Sequence, residues 1–138
     1  MLCDKSLDFV RRRKAATFFL CQNIAAQMES TAKDIAPWKD RSAHARQSIN
    51  SEAQLNNSEM MTLSISHGVN YGRYLEEGTT AHDIYLKNAK AFMWNGLPHP
   101  IRKNPIHHPG TKPYPAIKPA AEKGKQLLKE TISDLWGR

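Results

Sequence analysis

Residues 107–121, HHPGTKPYPAIKPAA, constrain the fold more than any other stretch, because prolines recur in them at positions 109, 113, 115 and 119. Each proline fixes φ and has no N–H to donate, so Pro109, Pro113 and Pro115 exclude a helix and the interior of a sheet. The stretch is expected to run as an extended arm, with Gly110 at a turn and no regular hydrogen bonding until Pro119. Pro119 itself falls in the first turn of a closing amphipathic helix, where a missing N–H is tolerated. Extended arms fixed to a rigid helix are one way in which subunits reach their neighbours.

The length of 138 residues fits one domain, 1–138, with the extended arm at about 96–114. A mean hydropathy of −0.62 leaves little apolar surplus for a core. The net charge is +7, from 20 Lys and Arg against 13 Asp and Glu. Between positions 87 and 125 there are eight basic residues and one acid, Glu122, so this half suits DNA phosphates, an acidic partner or plain solvation. Cys3 and Cys21 are the only cysteines. On one helix they stand roughly 27 Å apart at 1.5 Å per residue, too far to pair, and two free thiols point to a reducing compartment. The run Arg11-Arg12-Arg13-Lys14 before a short apolar segment is not read as a signal peptide, since acids precede it and Gln22-Asn23 follow. No stretch approaches the ~20 apolar residues that a membrane span needs.

Apolar or small residues recur at helical spacing at Cys3, Leu7, Val10, Phe18, Cys21, Ala25, Met28, Ala32 and Ile35, interrupted by Lys14. This predicts one helix over 3–35, with Phe19, Leu20 and Ile24 broadening its apolar face. So long a helix is expected to overhang a small domain or to pack on another copy. Past Pro37, either Asp40 or Ser42 can cap a short second helix, and Trp38 is expected to bury its ring with its N–H bonded. Alternation at Ile49, Ala53, Leu55 and again at Met61, Leu63, Ile65, Val69 predicts a β-hairpin, with His67 on the inward parity. A helical turn follows, stopped by Gly78 in the left-handed position, with Tyr71, Tyr74 and Leu75 covering the hairpin. Residues 82–86 and 91–94 read as short strands, Asn95-Gly96 as a turn, and 97–106, with Pro98, Pro100 and Pro105, as an edge strand or loop. The stripe Ile117, Ala120, Ala121, Leu127, Leu128, Ile132 and Leu135 predicts a final helix over 115–136, stopped by Gly137. The class expected is α+β: a long N-terminal helix and a C-terminal helix on a small, mainly antiparallel sheet, with an extended Pro-rich loop.

No arrangement of residues announces chemistry. His67, His82, His99, His107 and His108 lack metal-site spacing, and adjacent His107 and His108 face opposite sides of an extended chain. Glu76 and Glu77 are neighbours on a helix and do not face each other, which makes them a poor acid–base pair. There is no phosphate loop, dinucleotide fingerprint or nucleophile elbow. No catalytic residue, metal or cofactor is expected. Basic residues interleaved with Tyr85, Phe92, Trp94 and Tyr114 leave open a nucleic-acid-binding module built on Lys87, Lys90, Arg102, Lys103 and Lys112, although those aromatics fall among residues a core would use.

Three stretches carry a resemblance when read together. They are APWKDRSAHAR (36–46), with Trp38, Asp40, Arg41, Ser42 and Arg46; residues 71–79, with Tyr71, Tyr74, Glu76, Gly78 and Thr79; and HPGTKPYP (108–115) running on to Pro119. In order and spacing, over about residues 6–136, they resemble the tail-component or neck-protein family of long-tailed bacteriophages, variously called tail-completion, head-tail joining or minor capsid proteins. The family usually has Thr-Gly where this chain has Ser42-Ala43, and alanine resists a left-handed turn. The resemblance implies a non-catalytic structural protein of the virion neck, assembled in the bacterial cytoplasm. It further implies a ring of six or twelve copies meeting other neck, portal-adaptor, tail-terminator or tail-tube proteins, with non-specific contact to packaged DNA and none to membrane. The arm residues Pro98, Pro100, Arg102, Lys103, His107, His108, Pro109, Gly110, Lys112 and Tyr114 are the ones expected to grip a neighbour.

Overall fold

The structure, a computed structural model, describes residues 2–56, 60–85, 91–94, 97–100 and 105–137, of which 2–3, 91–94 and 97–100 are described in backbone only. In chain order the elements are α1 (Leu2–Ile35), α2 (His44–Gln47), β1 (Ile49–Leu55), β2 (Met61–His67), α3 (Gly72–Glu77), β3 (His82–Ile84), β4 (Ala91–Trp94), β5 (Leu97–Pro100), β6 (Ile106–His108) and α4 (Ile117–Trp136). The α+β class holds. The strands form three two-stranded antiparallel ladders, β1–β2, β3–β6 and β4–β5, and the two long helices pack on the first. Among the described residues no helix is long and apolar enough to cross a membrane.

The core lies where α1, α4 and β1 meet. On α1 the buried positions are Thr17, Cys21, Ile24, Ala25, Met28 and Ala32, a stripe of three- and four-residue steps. Ala32 and Ala120 are fully enclosed with Ile49 between them, and Trp38, Ile65 and Ile117 close around this trio. Burying Ile49 contributes about 2–3 kcal/mol. Alanine and glycine at the helix crossing let the axes approach: a Cβ added to Gly124 of α4 would collide with the Met28 side chain. Gly124 opposes Met28, and the Trp136 indole N–H donates to Thr17 Oγ1 at 3.0 Å, so α4 runs antiparallel to α1 and ends level with Thr17. The first four turns of α1 extend beyond it. Leu7, Phe9 and Val10 are exposed there, which is the expected overhang. Phe19 does not broaden the packed face: it lies on the outer side of α1, two-thirds exposed.

The β1–β2 hairpin pairs Ile49 with His67, Ser51 with Ile65, Ala53 with Leu63 and Leu55 with Met61, which sets the two apolar faces expected from the alternation side by side. It is fastened to α1 by Glu29, whose carboxylate accepts from Lys33 Nζ at 2.6 Å and from the Ser51 N–H at 3.1 Å. The Lys33 hydrogen bond is the main reason the Glu29 carboxyl sits below its ordinary pKa. The turn Asn95-Gly96 lies outside the described residues, and β5, with Pro98 and Pro100, pairs on one side with β4 as an edge strand does.

The corner between α1 and β1 departs from expectation in two ways. Neither Asp40 nor Ser42 caps α2; Ala43 occupies the N-cap, with φ 57° and ψ 0° and no side-chain bond. Asp40 is instead engaged by Arg46, its Oδ2 lying 2.6 Å from Arg46 Nε. The same guanidinium donates to the carbonyls of Lys33, Ala36 (3.2 Å) and Trp38 (3.4 Å), capping the end of α1 that has no partner of its own. Trp38 packs against this guanidinium and is half-buried, but its indole N–H finds no acceptor among the described residues. Ala43 thus adopts the left-handed conformation that alanine resists, because the Arg46 clamp fixes the chain on either side of it. Relief of this conformation is worth about 1–2 kcal/mol, less about 0.4–1 for the added freedom of an unfolded glycine. Ala43→Gly should therefore raise the unfolding free energy by about 0.5–1 kcal/mol, read from the urea midpoint at constant slope.

Candidate functional site

The proline segment does not run free. Ile106, His107 and His108 pair antiparallel with Ile84, Asp83 and His82, and Thr111 bridges to Thr79 through two backbone hydrogen bonds of 3.0 Å. The Tyr114 N–H then donates to the Leu75 carbonyl at 2.7 Å. Regular hydrogen bonding therefore resumes well before Pro119, at residues between the prolines that keep their N–H groups. Two glycines make the approach possible. Gly78 (φ 72°) and Gly110 (φ 87°) lie so close to the Thr111 and Thr79 carbonyls that a Cβ on either would strike them. Gly78 ends α3, but with ψ −169° it occupies the mirror-image extended region, not the left-handed helical one that was expected.

Where this strap turns into α4, the helix has no local cap. Ala116 stands at the N-cap without a side-chain bond, and Pro119 is the third helical residue. The cap comes from α3: Glu76 Oε1 accepts from the N–H groups of Ala116 and Ile117, both at 2.8 Å. His67 Nε2 lies 3.2 Å from the same oxygen. An ionised carboxylate only accepts, so Nε2 carries the proton. The His67 ring lies 5.8 Å from Trp38, and its Nδ1 is buried without a partner among the described residues. Burial pushes the Glu76 carboxyl up, but the amide donors of Ile117 and Ala116, with His67 and Lys118, outweigh it and hold the group below its ordinary value. Glu76 is thus occupied by structure, and Glu77 pairs with Arg73 at 2.7 Å. Neither is poised to move a proton.

Beside this joint lies an open cleft of about 880 Å³, lined by Tyr71, Tyr74, Leu75, Ile84, His108 and Tyr114. Tyr71 and Tyr74 do not cover the hairpin as expected: α3 turns them into the cleft, where Tyr74 is 60% exposed. Tyr85 and Tyr114 are likewise at the surface, outside any core. His108 stacks on His82 with ring centroids 5.0 Å apart, while His107 faces the other way and meets Asp83 at 2.9 Å. Among the described residues no three His, Cys, Asp or Glu side chains converge as metal ligands do.

Of the arm residues, Pro109, Lys112 and Tyr114 are exposed and Gly110 is half-buried against Thr79; Arg102 and Lys103 lie outside the described residues, as do Lys87 and Lys90. Arg41 and Ser42 lie exposed on the corner before α2. The three stretches singled out in the sequence converge: Trp38 reaches Glu76 through His67, and Thr79 and Leu75 hold Thr111 and Tyr114. Nothing in the local sequence marks Glu76 as a cap, since its acceptor role is fixed 40 residues away. Only the inward parity of His67 hinted at a polar partner.

Neither a family model, nor a curated protein, nor a solved structure matches this chain.

Because Glu76 titrates lower when folded than unfolded, its contribution is complete above its ordinary value near 4.5 and is lost as pH falls through the folded value. Glu76→Ala should lower the unfolding free energy by about 2 kcal/mol near neutral pH, as expected for removing the acceptor of two helix-end amides. The gap between the variant and the parent should narrow as the medium is acidified below that value, which urea melts across a pH series would register.

Proposed function

We propose that this protein is a structural component of a long-tailed bacteriophage virion, acting at the head-tail connection by assembling with copies of itself into a ring and docking between the portal side and the tail. The observation that carries the reading is the exposed apolar surface among the described residues: Leu7 and Val10 of α1, and the tyrosine cleft beside the joint. The joint also supports it, because the three stretches resembling the neck-protein family meet there as one unit. A rigid joint carrying the two-stranded β4–β5 ladder and an exposed cleft is suited to presenting both to neighbours, in six or twelve copies. On this reading the protein is assembled in the host cytoplasm and resides in the virion neck. Its partners are other neck, portal-adaptor and tail-terminator or tail-tube proteins. It uses no cofactor and catalyses nothing.

A second reading, a nucleic-acid-binding module on the basic 87–125 segment, is favoured by Tyr85 and Tyr114, which are exposed and available to stack. The two readings separate on salt. A nucleic-acid module binds single-stranded DNA at low micromolar levels or better and loses that affinity steeply between about 50 and 200 mM salt.

The decisive experiment replaces residues 86–104 by a short Gly/Ser link, which leaves α1, β1–β2, α4 and the Thr79–Thr111 bridge in place. The shortened protein should keep its far-UV spectrum but fail to form rings by electron microscopy and fail to enter particles in a complementation assay. If it enters particles as the parent does, or if the parent forms no ring and joins no particle, the neck reading is wrong.

A further inference from the structure

The cleft beside the joint combines aromatic faces with hydrogen-bond donors. His108 Nδ1 accepts the Gly110 N–H at 3.0 Å, so the proton of that ring is on Nε2, which can only donate. His82 is turned the other way: its Nδ1–H donates to the Thr80 carbonyl at 2.9 Å, and the ring stacks on His108 in the cleft wall. Around them stand the exposed rings of Tyr71, Tyr74 and Tyr114, flat apolar surfaces that end in hydroxyls. Three hydroxyls and His108 Nε2–H can therefore donate into the cleft, and His82 Nε2 alone must accept.

The chain carries an edge of matching chemistry. In an antiparallel ladder alternate residues turn their N–H and C=O toward the partner strand, and the others turn them outward. Pro98 and Pro100 have no N–H and stand opposite Met93 and Ala91, so the bonds from β5 to β4 fall to Leu97 and His99. The outer edge of β5 then presents the carbonyls of Pro98 and Pro100 and no N–H. Another β-strand cannot extend such an edge, because it needs donors and acceptors in turn. A groove of aromatic rings and donors can take it: pyrrolidine rings lie on the aromatic faces, and the carbonyls accept from hydroxyls. The edge is held away from the cleft of its own copy. β4 and β5 pack chiefly on each other, and the chain reaches them from the Ile84–Ile106 end of β3–β6, remote from the Thr79–Thr111 bridge.

We propose that the tyrosine cleft of one copy receives the proline edge of β5 from a second copy, with Pro98 and Pro100 among the tyrosine rings and their carbonyls accepting from the tyrosine hydroxyls and His108 Nε2–H. Cleft and edge are different surfaces, so the contact is head-to-tail and each copy both gives and receives. Contacts of this kind repeat from copy to copy and close into a ring where the rotation between copies allows. The inference rests on the neck reading, for which it names the contact between ring subunits, and the contact itself is testable on the isolated chain.

The test breaks the two surfaces separately and then mixes the halves, read by sedimentation velocity on full-length chains over a concentration series. Tyr74→Ala, at an exposed ring, should weaken self-association at least about tenfold with the far-UV spectrum unchanged. Tyr71→Phe, Tyr74→Phe and Tyr114→Phe together keep the rings but remove the hydroxyl donors, and should weaken it about fivefold or more. Pro98→Lys combined with Pro100→Lys should weaken it at least about tenfold, since lysine returns N–H groups to the edge while its charge still discourages strand addition. Where each is monomeric alone, a mixture of the Tyr74→Ala chain and the double-lysine chain should give equimolar heterodimers and nothing larger, because one intact edge meets one intact cleft. A parent that stays monomeric throughout, a cleft or edge variant that associates as the parent does, or a mixture without heterodimers would each overturn the proposal. The neck reading is judged apart, by entry into particles. A Tyr74→Ala chain that enters particles as the parent does removes this contact alone, whereas a parent that associates as described yet joins no particle removes the neck reading alone.

Discussion

A single carboxylate oxygen joins the two halves of this chain. Glu76 Oε1 accepts the amides of Ala116, the N-cap of α4, and Ile117, its first residue, and the ring N–H of His67, so one atom ties α3, β2 and the start of the last helix. A helix end carries about half a positive charge and donors with no intrahelical partner, and a buried end without acceptors would cost several kcal/mol. Local capping is denied here. The residue at the N-cap is Ala116, and the residues around it are there to deliver the strap. The acceptor must come from elsewhere, and the short α3, held by Gly78 against Thr111, supplies it. The positions of the strap, the cleft and the α4 axis all follow from that oxygen.

The other long helix is finished in the mirror-image way. Arg46 brings a cation to the carbonyl end of α1, where the dipole is negative, and satisfies oxygens of Lys33, Ala36 and Trp38. Its fork needs a fixed orientation, which Asp40 gives from one side and the Trp38 ring from another. Since the His67 ring lies tilted against Trp38, the two capping clusters share a wall. Two charged groups of opposite sign therefore set the ends of two helices whose small residues would otherwise let them slide. Ala32, Ala120 and Gly124 offer close approach but little shape to specify register.

What the sequence disclosed follows the range of the interactions involved. Periodicity located α1, the hairpin and α4, and the parity of His67 was right, because these are properties of neighbouring residues. Proline chemistry correctly barred a helix between 107 and 115. It misjudged the pairing: Ile106–His108 and Thr111 keep their N–H groups, and Gly78 and Gly110 remove the Cβ atoms that would have kept the two chains apart. Asp40 and Ser42, expected from their near neighbours to cap α2, do not cap it, and the caps of α1 and α4 lie beyond the reach of any local pattern. Those caps act over spans of 10, 13, 40 and 41 residues. Tyr71 and Tyr74, expected to cover the hairpin, face the cleft instead, since the six residues of α3 give too little length to bury both of its faces.

The costs left unmet at the joint bear on what it is for. His67 Nδ1 and Trp38 Nε1 are buried without partners among the described residues, and each such group costs about 1–3 kcal/mol. A junction optimised for stability alone would place an apolar ring in both positions. Keeping an imidazole there has one clear benefit: its Nε2–H holds the carboxylate in the orientation in which the same oxygen meets the Ala116 and Ile117 amides. His67 is therefore a positioning residue for the cap, and Trp38 does for Arg46 what His67 does for Glu76. Rigidity at the joint is gained at the expense of net stability, and what it fixes in space, among the described residues, is the open tyrosine cleft beside it. Stability given up to hold an exposed apolar cleft in place is consistent with the proposal that this surface meets other chains.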